Sequence, residues 1–379
     1  MTRPVRGALA ALLLTACAAN GPPREAHIAV AVDVDRSAIG FPVYRIPALA
    51  VSRLGTLIAA YDGRPSMADL PSRIALVVRR SVDGGQTWLP RQLIRSSTGP
   101  EGFGDPSLLV DQVTGRIFLF HAASVRQGFF GAATGNRDDD PNVLHADVSW
   151  SDDDGVTWRH RRLTHEIKQP AWNGLFASSG AGIQLVHGPH AGRLVQQYVV
   201  RFQSANWAAS AFSDDHGTTW HMGALAGPGL DENKSVELAD GRLMLNSRAR
   251  GFRRVAFSGD GGATWSAVAD EHQLVDPANN AAIVRVDPQA PPSDPRAHWL
   301  LFSNTDHATE RANLTLKLSC DDGVTWSAQR TIESGRAAYS TLVMLPHDRV
   351  GVLYERGDYE AITFVGLSLP SRSVRACRL

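Results

Sequence analysis

From residue 45 onward the chain is a succession of short apolar runs set between polar turns. One apolar run recurs six times: RIPALAVS from Arg45, DPSLLV from Asp105, AGIQLV from Ala181, SVELA from Ser235, AAIVRV from Ala281 and STLVML from Ser340. After each comes a turn and a second run: LGTLIAAY from Leu54, GRIFLF from Gly115, GRLVQQYVV from Gly192, GRLMLNS from Gly241, HWLLFSN from His298 and RVGVLYE from Arg349. The runs are too short and too rich in β-branched residues for helices, and no long apolar stripe of period 3.6 occurs.

An octapeptide recurs between these units. SVDGGQTW (81–88), SDDDGVTW (151–158), SDDHGTTW (213–220), SGDGGATW (258–265) and SCDDGVTW (319–326) share S-x-D-x-G-x-T-W, with starts 70, 62, 45 and 61 residues apart. Each reads as a hairpin turn: the Gly supplies positive φ, the Asp accepts bonds from the turn's own backbone, and the Trp anchors the turn on the core. A Ca²⁺ loop in SDDDGVTW fails on spacing, because position 12 from Asp152 is Leu163. Each unit therefore runs strand A, turn, strand B, loop, strand C, octapeptide turn, strand D. Six such antiparallel units predict an all-β, six-bladed β-propeller over residues 30–379. The sixth unit lacks an octapeptide, and segment 28–34 is expected to supply its outer strand and close the ring.

Composition fits this picture. Hydrophobic residues make up 43%, and 34 Gly with 21 Pro provide turn formers. The 38 basic and 38 acidic residues cancel, which argues against a nucleic-acid-binding surface. The N-terminus reads differently. Arg3 and Arg6 precede a short apolar stretch that ends in Leu14-Thr15-Ala16-Cys17. This resembles a bacterial lipobox: residues 1–16 form a lipoprotein signal peptide, Cys17 is lipidated, and 17–29 are a tether. Ala18 directs such a protein to the outer membrane. An ordinary signal peptide with an incidental Cys17 is the alternative. Cys320 and Cys377 remain after processing; an oxidising compartment permits them to pair, and the sequence leaves open whether they do.

Antiparallel alternation places the start of A, the end of B and the start of C at one end of every unit, opposite the octapeptide turns. Arg45, Glu232 and Tyr339 stand at the start of A strands. Arg64, Arg248 and Glu355 stand at or just past the end of B strands. Asp69 lies in a B–C loop, and Arg311 leads into a C strand. Four arginines near one centre require an anion or carboxylates to offset their repulsion.

These residues carry a resemblance. With Tyr44-Arg45-Ile46-Pro47 and five octapeptides in the form of Asp boxes, the chain resembles the bacterial exo-sialidases, or neuraminidases, over about residues 30–369. The resemblance implies that Arg45, Arg248 and Arg311 grip the carboxylate of sialic acid. It implies Arg64 as a further substrate arginine, Asp69 as acid/base, Glu232 as base, Tyr339 as nucleophile, Glu355 as the brace of Arg45 and Asp105 as a substrate contact. Asp231 stands where the family more often has Asn. The expected activity is retaining hydrolysis of terminal α-ketosidically linked sialic acids from glycans, glycoproteins or glycolipids. No cofactor, no metal, no nucleic acid and a monomer are expected. A neutral tyrosine suits this substrate, because a carboxylate nucleophile would approach the anomeric carbon against like charge. Loop 126–142 is expected to shape the aglycone side. A trans-sialidase would use the same core residues. A non-catalytic sialic-acid-binding propeller would not need Tyr339, Glu232 and Asp69 together. A structural Asp-box scaffold would not need the arginines.

Overall fold

The computed structural model describes residues 1, 31–370, 377 and 379. The expected leader from residue 2 to 16, Cys17 and the whole tether 17–29 lie outside the described residues.

The strands follow the predicted order. After β1 (Val32–Arg36) comes an antiparallel sheet of β2 (Val43–Val51), β3 (Leu57–Arg64), β4 (Ala75–Ser81) and β5 (Gln92–Arg95). The second sheet holds β6 (Gly102–Val110), β7 (Ile117–Ser124), β8 (His145–Ser151) and β9 (Arg159–Arg162). In the third, β10 (Leu175–Ala177) and β12 (Ile183–Gln184) pair with one edge of β13 (Leu194–Phe202), whose other edge carries β14 (Ala205–Ser213) and then β15 (His221–Met222). Between them β11 (Gly180–Ala181) crosses to pair parallel with β6. The third inner strand, expected as one run from Ala181, is thus broken into pieces. Gly180 holds φ at 124°, and a Cβ there would stand 2.7 Å from Lys234 Cε, so only glycine allows this close approach.

The fourth sheet is β16 (Asn233–Glu237), β17 (Leu243–Ser247), β18 (Arg250–Ser258) and β19 (Ala269–Pro277). The fifth has seven strands: β20 (Ala282–Arg285), β21 (Leu300–Thr305), β22 (Ala312–Ser319), β23 (Ala328–Leu345), β24 (Arg349–Arg356), β25 (Ala361–Ser368) and then β1. The molecule is all-β and propeller-like, with five sheets where the sequence predicts six units. The difference lies in β23. Its first half, to Arg336, pairs with β22 and its second, from Ala337, with β24, without an interruption of the strand. The outer strand from the N-terminus is present at Val32–Arg36, paired with β25; of the expected segment 28–34, residues 28–30 lie outside the described residues.

All five octapeptides join the third and fourth strands of their units, as expected. The two turn residues have positive φ in every copy, 57–71° and then 79–93°, which matches the right-handed twist of the flanking strands. In each copy the Asp accepts from the Ser hydroxyl, from the Thr N–H and from the Thr hydroxyl. In the last, Asp321 takes these bonds at 2.8 Å, 2.8 Å and 2.6 Å. The tryptophans tie sheets together. Trp88 packs edge-on to Phe364 of β25, and Trp220 does so against Phe118 and Phe120 of β7. Such aromatic pairs add about 0.5–1.5 kcal/mol beyond the area they bury. Cys320, inside the last octapeptide, forms a disulfide with Cys377, with Cα atoms 5.9 Å apart. Among the described residues no helix is long and apolar enough to cross a membrane.

Candidate active site

Bulges on the inner strands begin the site. Pairing slips between Arg45 and Ala48 of β2, between Gly104 and Ser107 of β6, and between Ala337 and Ser340 of β23. In the first two, a proline without an N–H (Pro47, Pro106) follows a residue with left-handed φ, Ile46 at 61° and Asp105 at 58°. For a β-branched isoleucine this is a strained conformation, held by its surroundings. Bulging frees backbone N–H groups from the ladder, and buried carboxylates capture them. Glu355 accepts from Ile46 N at 2.8 Å and from Tyr339 N at 3.0 Å. The same carboxylate accepts from Arg45 Nε at 3.1 Å and Nη2 at 3.5 Å. One fully buried glutamate thus fixes both Arg45 and the backbone of Tyr339.

Tyr339 and Glu232 come from different sheets and meet directly. The Tyr339 hydroxyl donates to Glu232 Oε2 at 2.6 Å. Arg248 Nη1 donates to both, at 2.6 Å to Glu232 and 2.7 Å to the phenol oxygen. Glu232 is positioned by its own backbone: its N–H donates to Asp231 Oδ1 at 2.8 Å, and its carbonyl accepts from Arg248 N at 2.8 Å. Burial, and then the negative charge of Glu232, pushes the Tyr339 phenol well above its ordinary range, against the opposing pull of Arg248, Arg45 and Arg311. The tyrosine is therefore protonated, with its proton on a hydrogen bond to a base. The guanidinium carbons of Arg45 and Arg311 lie 5.2 and 5.1 Å from its ring centroid.

On the other side, Arg64 donates through Nε and Nη2 to buried Asp62, at 3.0 and 2.7 Å, and through Nη1 to Asp69 at 2.7 Å. The Asp69 side chain is 80% exposed, at the lip of the site. Asp62 also accepts from Asp105 N at 3.1 Å. Burial raises both Asp62 and Asp105, and the negative charge of Asp62 raises Asp105 further, against the pull of Arg64.

These groups surround one pocket of about 480 Å³. Arg45, Arg248 and Arg311 line it with Tyr339, Glu232, Asp69 and Asp105. Arg64 and Glu355 do not line it but hold residues that do. The stretch Gln127–Gly131 of loop 126–142 forms a further wall, in which Phe129 packs edge-on to Phe176 at 4.9 Å. Three contributors escaped the sequence reading. Asp62 braces Arg64 as Glu355 braces Arg45. Tyr359 accepts from Arg311 Nη1 at 3.1 Å, and its ring lies 4.6 Å from the Arg45 guanidinium carbon. Lys234 is buried two residues past Glu232, with Asn280 Oδ1 3.0 Å from its ammonium. Burial lowers that ammonium to about 7.

A family model described as a BNR repeat-like domain matches residues 55–352. A sialidase of Micromonospora viridifaciens is 51% identical over 326 residues, covering 84% of this chain and 50% of the relative. The chain belongs to the sialidase family. A sialidase of Bacteroides fragilis (strain YCH46) is 31% identical over 335 residues, covering 82% of this chain and 60% of the relative. Among solved structures, the Hadza microbial sialidase Hz136 superposes with a TM-score of 0.80 at 32% identity, over 89% of this chain and 68% of that one. The chain thus spans between half and three fifths of the two bacterial sialidases. Within this family member, the part matched by the domain model runs from just before β3 into β24 and takes in the walls of the pocket except Arg45 and Ile46 of β2.

Proposed function

We propose that this chain is an exo-α-sialidase that hydrolyses terminal sialic acids from glycoconjugates with retention of configuration. The observation that carries the reading is the Tyr339–Glu232 hydrogen bond of 2.6 Å inside a pocket faced by three arginines. Arg45, Arg248 and Arg311 bind the substrate carboxylate with forked guanidinium groups. The Tyr339 oxygen attacks the anomeric carbon while its proton passes to Glu232. The glycosidic bond breaks, and the leaving oxygen takes a proton from Asp69. Water then attacks the tyrosyl-bound sugar, giving a proton to Asp69, and the departing phenolate recovers its proton from Glu232. Asp69 has to exchange its Arg64 contact for the glycosidic oxygen, and its exposed side chain is free to do so. Asp105 completes the substrate contacts, whereas Arg64, expected from the resemblance as a substrate arginine, is buried behind the wall and acts by holding Asp69.

We read the seven-stranded sheet as two blades, which gives six in all. The change of partner at the middle of β23 supports this count. We also propose that the mature protein is a monomer tethered to the outer membrane through lipidated Cys17; the Leu14-Thr15-Ala16-Cys17 run supports the anchor.

The test is a 3-fluoro-sialyl fluoride, which slows both steps yet carries a good leaving group. The expected outcome is a glycosyl adduct on the peptide that contains Tyr339, none in Tyr339→Phe, and release of sialic acid from an aryl sialoside by the wild type. Label on Glu232 or Asp69 refutes the assignment of roles. Absence of aryl sialoside hydrolysis refutes the enzyme and leaves a binding propeller.

A further inference from the structure

A second cleft, of about 420 Å³, shares Asp231 and Arg248 with the site pocket. It is also lined by the β13–β14 hairpin, with Arg201 and Asn206, and by the start of β18, with Arg250. Arg201 donates to Asn206 Oδ1 at 3.0 Å, and its guanidinium carbon lies 5.3 Å from the ring centroid of Phe130. Phe130 itself lines the site pocket and is 76% exposed, so the stacked pair links the two cavities. Arg250 is exposed. Among the described residues, neither Arg201 nor Arg250 has an acidic partner within ion-pair distance, whereas Arg254 nearby is paired with Asp270. Two unpaired guanidinium groups on one small cleft repel unless an anion joins them. The acidic group in the cleft is Asp231, which is half-buried and engaged by the Glu232 N–H, and burial raises its carboxyl.

We propose that this cleft is a second anion subsite, in which Arg201 and Arg250 bind a carboxylate or sulfate on the sugar next to the sialic acid being removed. The inference rests on the sialidase reading. The next sugar is bonded to the oxygen that Asp69 protonates, and the stretch Gln127–Gly131 beside Asp69 leads through the Phe130–Arg201 stack into the cleft, so the anion within its reach is one on that sugar. Guanidinium suits both anions, because its planar fork matches two oxygens of either. The substrate class is thus a sialoglycan with a second negative charge at the penultimate sugar.

The experiment compares kcat/KM for three substrates: neutral 3′-sialyllactose, its analogue sulfated on the penultimate sugar, and a disialyl lactose whose penultimate sugar is itself a sialic acid. The readout is the ratio of each dianionic substrate to the neutral one, in wild type, R201Q, R250Q and the double variant. The expected ratio falls about three- to tenfold in each single variant and further in the double variant, and R250K restores part of it. It also falls as salt rises, because exposed charges are screened. A fall confined to the sulfated substrate, or confined to the disialyl substrate, identifies the source of the anion. Cleavage of all three with ratios unchanged within about twofold in the double variant overturns the subsite and leaves the sialidase reading intact. No cleavage of any substrate overturns the sialidase reading itself, and the subsite with it.

Discussion

Replacing Glu355 by glutamine tests how much of the site hangs on one carboxylate. The side chain is fully buried and accepts from Arg45 Nε, Arg45 Nη2, Ile46 N and Tyr339 N, at 3.1, 3.5, 2.8 and 3.0 Å. Glutamine has the same shape but one acceptor oxygen. In either amide orientation its NH₂ faces a backbone N–H, that of Ile46 or that of Tyr339. An unsatisfied buried donor costs about 1–3 kcal/mol. Arg45 also loses its ion-pair partner in a buried setting, and breaking such a pair costs about 3–5 kcal/mol. The two costs overlap, since both arise from the same carboxylate, so the expected destabilisation of E355Q is about 3–5 kcal/mol. Urea denaturation measures it as a lower midpoint at unchanged slope. The folded fraction should also lose about 10²-fold in kcat/KM, because the nucleophile and a carboxylate-binding arginine both lose their fixed positions. A variant within about 1 kcal/mol of wild type with unchanged kinetics refutes the argument.

Arg248→Lys keeps the charge but loses the planar fork offered to the substrate carboxylate; kcat/KM on an aryl sialoside should fall about 10²-fold or more. Asp321→Ala removes the acceptor of the last octapeptide turn and should cost about 1–2 kcal/mol of stability, with KM of the folded enzyme unchanged because the turn lies opposite the site. The Thr87 hydroxyl and N–H hold the Asp83 carboxyl at about 2, below its unfolded value, and the equivalent aspartates are lowered too. Their contribution is complete above about pH 4 and is lost as pH falls through 2, so acid unfolding should set in across that window and be shallower in Asp83→Asn.

Much of this architecture is written in repeats. The octapeptide marks its own turns, because Ser, Asp, Gly and Thr each have a fixed bonding task there, and the apolar runs mark strands buried on both faces. Charges set at equivalent strand ends locate the pocket without any coordinates. What escaped depends on contacts between units. Asp62 occupies the place of Glu355 in the repeat, with Tyr61-Asp62 matching Tyr354-Glu355, so comparing units position by position reveals it. Tyr359 sits in the turn between β24 and β25, where no periodicity marks a side chain that spans two arginines. Lys234 follows Asn233 in a polar run that reads as exposed, yet the strand lies at the crowded centre, where even a methyl on Gly180 would meet its stem. The unbroken course of β23 has no local cause in composition.

The closure by β1 and β25 also sets an order of events. Asp33 and Thr363 bond side chain to side chain across 330 residues of sequence. The first strand of the domain to leave a ribosome or a translocon therefore waits for the last one before it finds its place. Until then the rim of the final sheet is an open edge, able to pair with any strand it meets, including one from a second chain. Closing so long a loop late makes the final step slow relative to local hairpin formation. A chain cut short by even one hairpin at its C-terminus would leave β1 with nowhere to go, and truncation there should yield aggregates rather than a smaller enzyme.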